Sequence, residues 1–122
     1  MKNILVVDDE KNIREILEDY ISQNMEGCKI DFSEDGIDAF FKCSFQKFDA
    51  IILDHQMPRM NGLDLLVSLR NNLSLNHLTP IFIISGILPK IDEKLTVFKN
   101  TYFLQKPFNF DELKEHLESS MS

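Results

Sequence analysis

Near the start of the chain, the apolar run Ile4 to Val7 leads directly into Asp8, Asp9 and Glu10. Two carboxylates roughly 4 Å apart repel by about 4 kcal/mol at an effective dielectric of 20, so folding alone does not recommend such a cluster. Helix capping by Asp9, ahead of a helix beginning near Lys11, accounts for one of the acids and leaves the other two unexplained. Oxygen ligands crowded together must either take up protons or find a cation, and an all-oxygen set that leaves room for water suits magnesium. A further carboxylate, Asp54, closes the apolar stretch FDAIILD and enters a turn, which predicts a side chain at the surface of the sheet edge. A carboxylate there can act as a nucleophile toward phosphorus. Ser85 adds a short hydroxyl donor and Lys106 a compact positive charge. Nucleophile, cation ligands and fixed positive donors are the parts that phosphoryl transfer needs.

Elements that could bring these residues together are legible along the chain. Five apolar runs, Ile4 to Val7, Cys28 to Phe32, Ala50 to Leu53, Ile81 to Ile84 and Tyr102 to Leu104, recur at intervals of about 20 to 28 residues. Each precedes a helical pattern. Ile13, Ile16, Leu17, Tyr20 and Ile21 mark the inward face of the first helix. The second follows Asp35-Gly36 with Ile37, Phe40, Phe41 and Cys43, and the third opens after MPRMNG with Leu63, Leu66 and Leu69. Pro89, Ile91, Leu95 and Phe98 predict a short fourth helix, and Asn109 caps a fifth with Phe110, Leu113 and Leu117 turned inward. Strands that read as continuous apolar runs between helices predict a doubly wound α/β domain with a parallel sheet covered on both faces. In such sheets the functional crevice lies beyond the carboxyl ends of the strands. Asp8, Asp9, Asp54, Ser85 and Lys106 all fall there.

Bulk properties narrow the classes. The 122 residues suffice for one domain, 1–122, with no output domain in this chain. Twenty acidic against thirteen basic residues give a net charge of −7, which disfavours nucleic acid and anionic membrane as direct partners. No apolar stretch approaches the roughly 18 residues of a membrane span, and a cytoplasmic location is expected. Cys28 and Cys43 form no CxxC pair and read as small buried hydrophobes, while His55, His77 and His116 are scattered and read as surface residues.

The set VVDDE, IILDHQMPRMNG, IFIISG and KPF, in that order and spacing, resembles the receiver domain of bacterial two-component response regulators over essentially the whole chain. The resemblance implies a flavodoxin-like sheet of order 2-1-3-4-5 with five helices. It implies Asp54 as phosphoacceptor, Asp8, Asp9, Asp54 and the Gln56 backbone carbonyl as Mg²⁺ ligands, Ser85 and Lys106 as phosphoryl contacts, and Ser85 with Phe103 as the switch. A cis peptide bond between Lys106 and Pro107 also follows from it. The implied partners are a sensor histidine kinase or histidine phosphotransfer protein, and a downstream protein target on the face of the fourth helix, fifth strand and fifth helix. The implied protein is a phosphorylation-controlled switch rather than an enzyme, monomeric or dimerising on phosphorylation. Departures from the family pattern are Asn61 before Gly62, Asn100-Thr101 before the fifth strand, a short 87–100 segment, and phenylalanine at 103.

Two enzyme-like or carrier alternatives fit less well. An aspartyl-phosphate phosphatase of the haloacid-dehalogenase kind wants a second aspartate where Gln56 stands, and an FMN carrier of the flavodoxin kind would meet phosphate with the acids of DDE. A degenerate receiver that only binds partners would not keep all five key side chains.

Overall fold

A computed structural model describes residues 1–71, 73–86 and 99–121. Its five strands, β1 (Lys2–Val7), β2 (Cys28–Ser33), β3 (Ala50–Asp54), β4 (Ile81–Ser85) and β5 (Thr101–Gln105), form one parallel sheet of order β2-β1-β3-β4-β5. Among the described residues four helices accompany it: α1 (Lys11–Asn24), α2 (Gly36–Phe45), α3 (Gly62–Leu69) and α4 (Phe110–Met121). The helix predicted from Pro89 to Phe98 lies outside the described residues; α4 is the fifth of the predicted series. No described helix is long and apolar enough to cross a membrane.

Why the strands read as unbroken apolar runs is visible in the two cores. Leu5, Val7, Ile51, Leu53, Ile81 and Ile83 turn toward α2 and α3, while Ile4, Val6, Ala50, Ile52, Phe82 and Ile84 turn toward α1 and α4. Both faces of β1, β3 and β4 are therefore buried, as parallel sheets require. The edge strands β2 and β5 keep partial exposure.

Helix faces depart from the sequence reading in two places. Ile16 is exposed, because α1 seats only Leu17 and Ile21 fully. In α2 the buried stripe is Gly36, Ala39 and Cys43, and Ile37, Phe40 and Phe41 face outward. That stripe has the same helical spacing, and its small side chains let α2 lie close to the sheet and to α3 where phenylalanines would not fit. Cys43 is buried as expected, whereas Cys28, on an edge strand, is half-exposed. Asn109 caps α4 as predicted, its Oδ1 accepting from the backbone N–H groups of Asp111 at 2.7 Å and Glu112 at 3.3 Å.

Candidate functional site

Register sets the site. Val7 pairs with Leu53 across β1 and β3, so Asp8 emerges level with Asp54, which itself pairs with Ile84 of β4. Ser85 pairs with Gln105 of β5, and the next residue, Lys106, donates its backbone N–H to the Ser85 carbonyl at 2.8 Å. Alternation along the strands then turns Asp8, Asp54 and Lys106 to the α1 side of the sheet. There they line a small cleft with Ile13, Leu17 and Phe108. The Lys106-Pro107 bond is cis, as the motif implied.

Carboxylate oxygens of Asp8, Asp9 and Asp54 lie within 4.8 Å of one another. Against them, among the described residues, the site sets the ammonium of Lys106, its Nζ 3.7 Å from Asp54 Oδ2. Asp54 is almost fully buried, not at the surface as its turn suggested, because β4 and the Lys106 loop rise beside it. Burial is the main reason its pKa is raised; the Gln56 N–H, 3.2 Å from Oδ1, and Lys106 pull the other way. Asp8 is buried as well, and burial pushes its pKa up to about 6, with Asp54 and Asp9 adding repulsion. Its Oδ1 accepts from Glu10 N–H at 2.9 Å, and Lys106 offers partial relief. Asp9 is exposed and caps nothing: the N-cap position of α1 falls to Glu10, without a side-chain hydrogen bond. Capping therefore does not explain the acids. All-oxygen and crowded, with Asp8 and Asp54 desolvated, the set fits a hard divalent cation.

Ser85 is fully buried at the end of β4, and Phe103, paired with Ile83, is half-buried against the α2–α3 core on the same face as Ser85. Gln56 is exposed at the start of the loop after Asp54. His55 is less exposed than predicted. Its backbone bridges Ile84 and Gly62, and its Nδ1 is buried with no hydrogen-bond partner among the described residues. His116 is likewise half-buried, beside the rings of Phe82 and Tyr102.

Sequence reasoning missed the residues that hold these loops. Arg14, one turn into α1, donates from Nη1 to the Asp8 carbonyl at 2.6 Å and fixes the β1–α1 connection. Asp35, the N-cap of α2, also pairs with Arg59 of the acceptor loop at 3.2 Å. Arg59 stands at φ 69°. Gly36 packs so closely that a Cβ there would lie 2.6 Å from the Met60 carbonyl, and one at Gly62 would lie 2.8 Å from His55 Cα. An aspartate-glycine start for α2 was a visible signal; the pairing with Arg59 had none. Two departures from the family pattern acquire reasons. Asn61 caps α3, accepting from Asp64 N–H at 2.9 Å, and Asn100 takes φ 56°, a left-handed conformation asparagine tolerates.

Beside the carboxylates, an apolar cleft of about 440 Å³ runs between α1 and the loop before α4, lined by Ile13, Ile16, Leu17, Lys106, Pro107, Phe108 and Phe110.

A doubly wound parallel sheet with an acid cluster, a buried aspartate and a lysine at its carboxyl edge defines a narrow class of proteins. The response regulator receiver domain model matches residues 4–118, and the chain belongs to that family. Response regulator ArlR of Staphylococcus aureus is 32% identical over 114 residues, which cover 93% of this chain and 49% of ArlR, so the chain spans about half the length of that relative. Among solved structures, TrrA of Thermotoga maritima, in complex with Mg²⁺-BeF, is 34% identical with a TM-score of 0.82 over 98% of this chain and 99% of that one. The receiver domain of Francisella response regulator 1452 is 29% identical, with a TM-score of 0.84 over 99% and 97%.

Proposed function

We propose that this receiver accepts a phosphoryl group on Asp54 from the phosphohistidine of a sensor histidine kinase or histidine phosphotransfer protein, and so acts as a switch in two-component signalling. The observation that carries the reading is the buried Asp54 carboxylate between two further carboxylates and Lys106. An Asp54 oxygen forms a bond to phosphorus as the N–P bond of the donor imidazole breaks, its electron pair returning to the ring nitrogen. Asp8 and Asp9, with Asp54 and the Gln56 backbone carbonyl, would hold Mg²⁺. When bound, the ion supplies the positive charge that neutralises the transferring phosphoryl oxygens. Lys106 supplies a second, protein-borne positive charge to the same oxygens, and Ser85 a hydroxyl donor.

Ser85 and Phe103 share one face of the sheet, so movement of Ser85 toward the acquired oxygens opens space that the Phe103 ring can enter. The surface around β5 and α4 then carries the change to a downstream protein. Lys106 lines both the carboxylate site and the apolar cleft, so a donor protein seated in that cleft would stand next to Asp54. Acceptance and later loss of the group are self-catalysed, with no separate substrate turned over, and the cytoplasm is where such donors act.

Incubation with acetyl phosphate and Mg²⁺, followed by intact-mass and peptide mapping, tests the reading. One phosphoryl group should appear on Asp54, and none on Asp54→Asn or without Mg²⁺. No mass gain in the wild-type protein, or an equal gain in Asp54→Asn, would overturn it.

A further inference from the structure

Helix α2 is apolar nearly all round. Gly36, Ala39 and Cys43 face the core, and Ile37, Phe40, Phe41 and Phe45 face outward, at 51%, 44%, 63% and 73% exposure. Its two charged residues, Asp38 and Lys42, pair with each other at 3.6 Å on the flank and leave the outward stripe without an ionised group. A helix with this pattern belongs inside a larger assembly. The patch continues past α2, because Phe40 lines a cavity of about 260 Å³ together with Leu73 and Leu75, themselves 93% and 50% exposed. These six side chains leave on the order of 800 Å² uncovered, above the 300–600 Å² typical of a monomer's largest apolar patch and matching one side of a standard interface.

We propose that this face pairs with the same face of a second copy, α2 against α2 in antiparallel, across a two-fold axis at Phe41. The sequence of the stripe is suited to that register: with Phe41 on the axis, Ile37 of one copy lies against Phe45 of the other. Phe41 and Phe45 already contact edge to face, with centroids 4.9 Å apart, so each copy offers a preformed aromatic pair. Charge agrees. A chain of net charge −7 repels its own copy over most of its surface, and the stripe is where two copies can meet without opposing charges. Antiparallel pairing also aligns the helix dipoles favourably. Nothing in this pairing involves Asp54, so it does not depend on phosphorylation.

Sedimentation velocity from micromolar to millimolar concentration tests it. Wild-type protein and Asp54→Asn should show the same concentration-dependent dimer, with or without Mg²⁺ and acetyl phosphate. Phe41→Lys, which places two ammonium groups at the axis, should weaken the dimer by roughly a hundredfold while leaving the circular dichroism unchanged. In a Cys28→Ser background, Phe41→Cys should oxidise to a disulfide-linked dimer and Val67→Cys, exposed on α3, should not. A dimer that survives Phe41→Lys, or one formed only on phosphorylation, would overturn the proposal. A strictly monomeric wild-type protein would also overturn it, and would leave the face to a partner of another kind.

Discussion

At the amino ends of β3 and β4, Asn76 and Thr79 are buried as deeply as Asp8 and Asp54 are at the carboxyl ends. Their surroundings differ in kind. Asn76 Oδ1 accepts from Phe48 N–H at 2.9 Å and from Thr79 Oγ1 at 2.9 Å, and its Nδ2 donates to the carbonyls of Cys43 and Gln46 at 3.1 and 2.9 Å. Thr79 Oγ1 also reaches the Phe48 carbonyl at 3.1 Å. Arg70, the C-cap of α3, closes the knot, donating from its terminal nitrogens to the carbonyls of Asn76, His77 and Asn100; its buried Nε has no partner among the described residues, and burial lowers the guanidinium pKa to about 10. Here every hydrogen-bonding atom of the Asn76 side chain is used within the chain. At the other end, among the described residues, three carboxylates face Lys106. Satisfied buried polarity stabilises a fold, whereas crowded like charge holds free energy that a ligand can release. One sheet thus carries largely satisfied polarity at its amino edge and crowded charge at its carboxyl edge.

The largest expected effect lies at the satisfied end. Asn76→Ala strands the buried Phe48 N–H and Cys43 carbonyl and the part-buried Gln46 carbonyl, and should cost about 3 kcal/mol in denaturant unfolding. The added stability conferred by millimolar Mg²⁺ should be the same as in the wild-type protein, since the knot does not touch the carboxylates. A loss below about 1 kcal/mol, or a change in the Mg²⁺ increment, would break the division between the two edges.

The opposite sign is expected at the crowded end. Asp8 has a folded pKa of about 6 against an ordinary 3.8, so the folded state holds the proton more tightly than the unfolded chain. Stability of the metal-free protein should therefore fall as pH rises from about 4 to about 6, as Asp8 gives up its proton in the fold. Asp8→Asn keeps an oxygen for the Glu10 N–H and removes the charge. It should stabilise the metal-free protein by about 2 kcal/mol at pH 7, with the gain vanishing below about pH 4. Mg²⁺ should raise the melting temperature of the wild-type protein, and the same variant should lose most of that rise. A destabilised Asp8→Asn at pH 7 would place Asp8 among the satisfied residues instead.

How much of this was legible follows the same line. Parallel pairing and the meeting of Asp8, Asp9, Asp54 and Lys106 were readable because β1, β3 and β4 are buried on both faces and announce themselves as unbroken apolar runs ending in polar residues, whereas the strand order came from the family resemblance. Asn76 and Thr79 were invisible. They sit in a polar stretch before β4, and only a tertiary contact with Phe48, 28 residues earlier, makes them interior. The outward face of α2 was misread because two stripes in one helix carry helical spacing, and side-chain volume rather than hydrophobicity decides which one meets the sheet. Arg59 was missed because its partner Asp35 lies on a different loop.

That last pair joins the acceptor loop to α2, and it sharpens the comparison at the smallest scale. Arg59 is mostly exposed while Asp35 is buried, so the ion pair is half-screened and contributes little, of order 1 kcal/mol or less. Its backbone, at φ 69°, carries a cost of about 1 kcal/mol for any residue with a Cβ. Arg59→Ala removes the ion pair and keeps the backbone cost; Arg59→Gly removes both. Glycine should therefore unfold at higher denaturant than alanine by about 1 kcal/mol and lie close to the wild-type protein. If the two variants unfold together, the left-handed turn is not what Asp35 and Met60 hold in place. If glycine restores stability yet slows phosphoryl acceptance on Asp54, the strained turn serves the chemistry at the carboxyl edge, and its cost is of the same kind as the crowding of Asp8, Asp9 and Asp54.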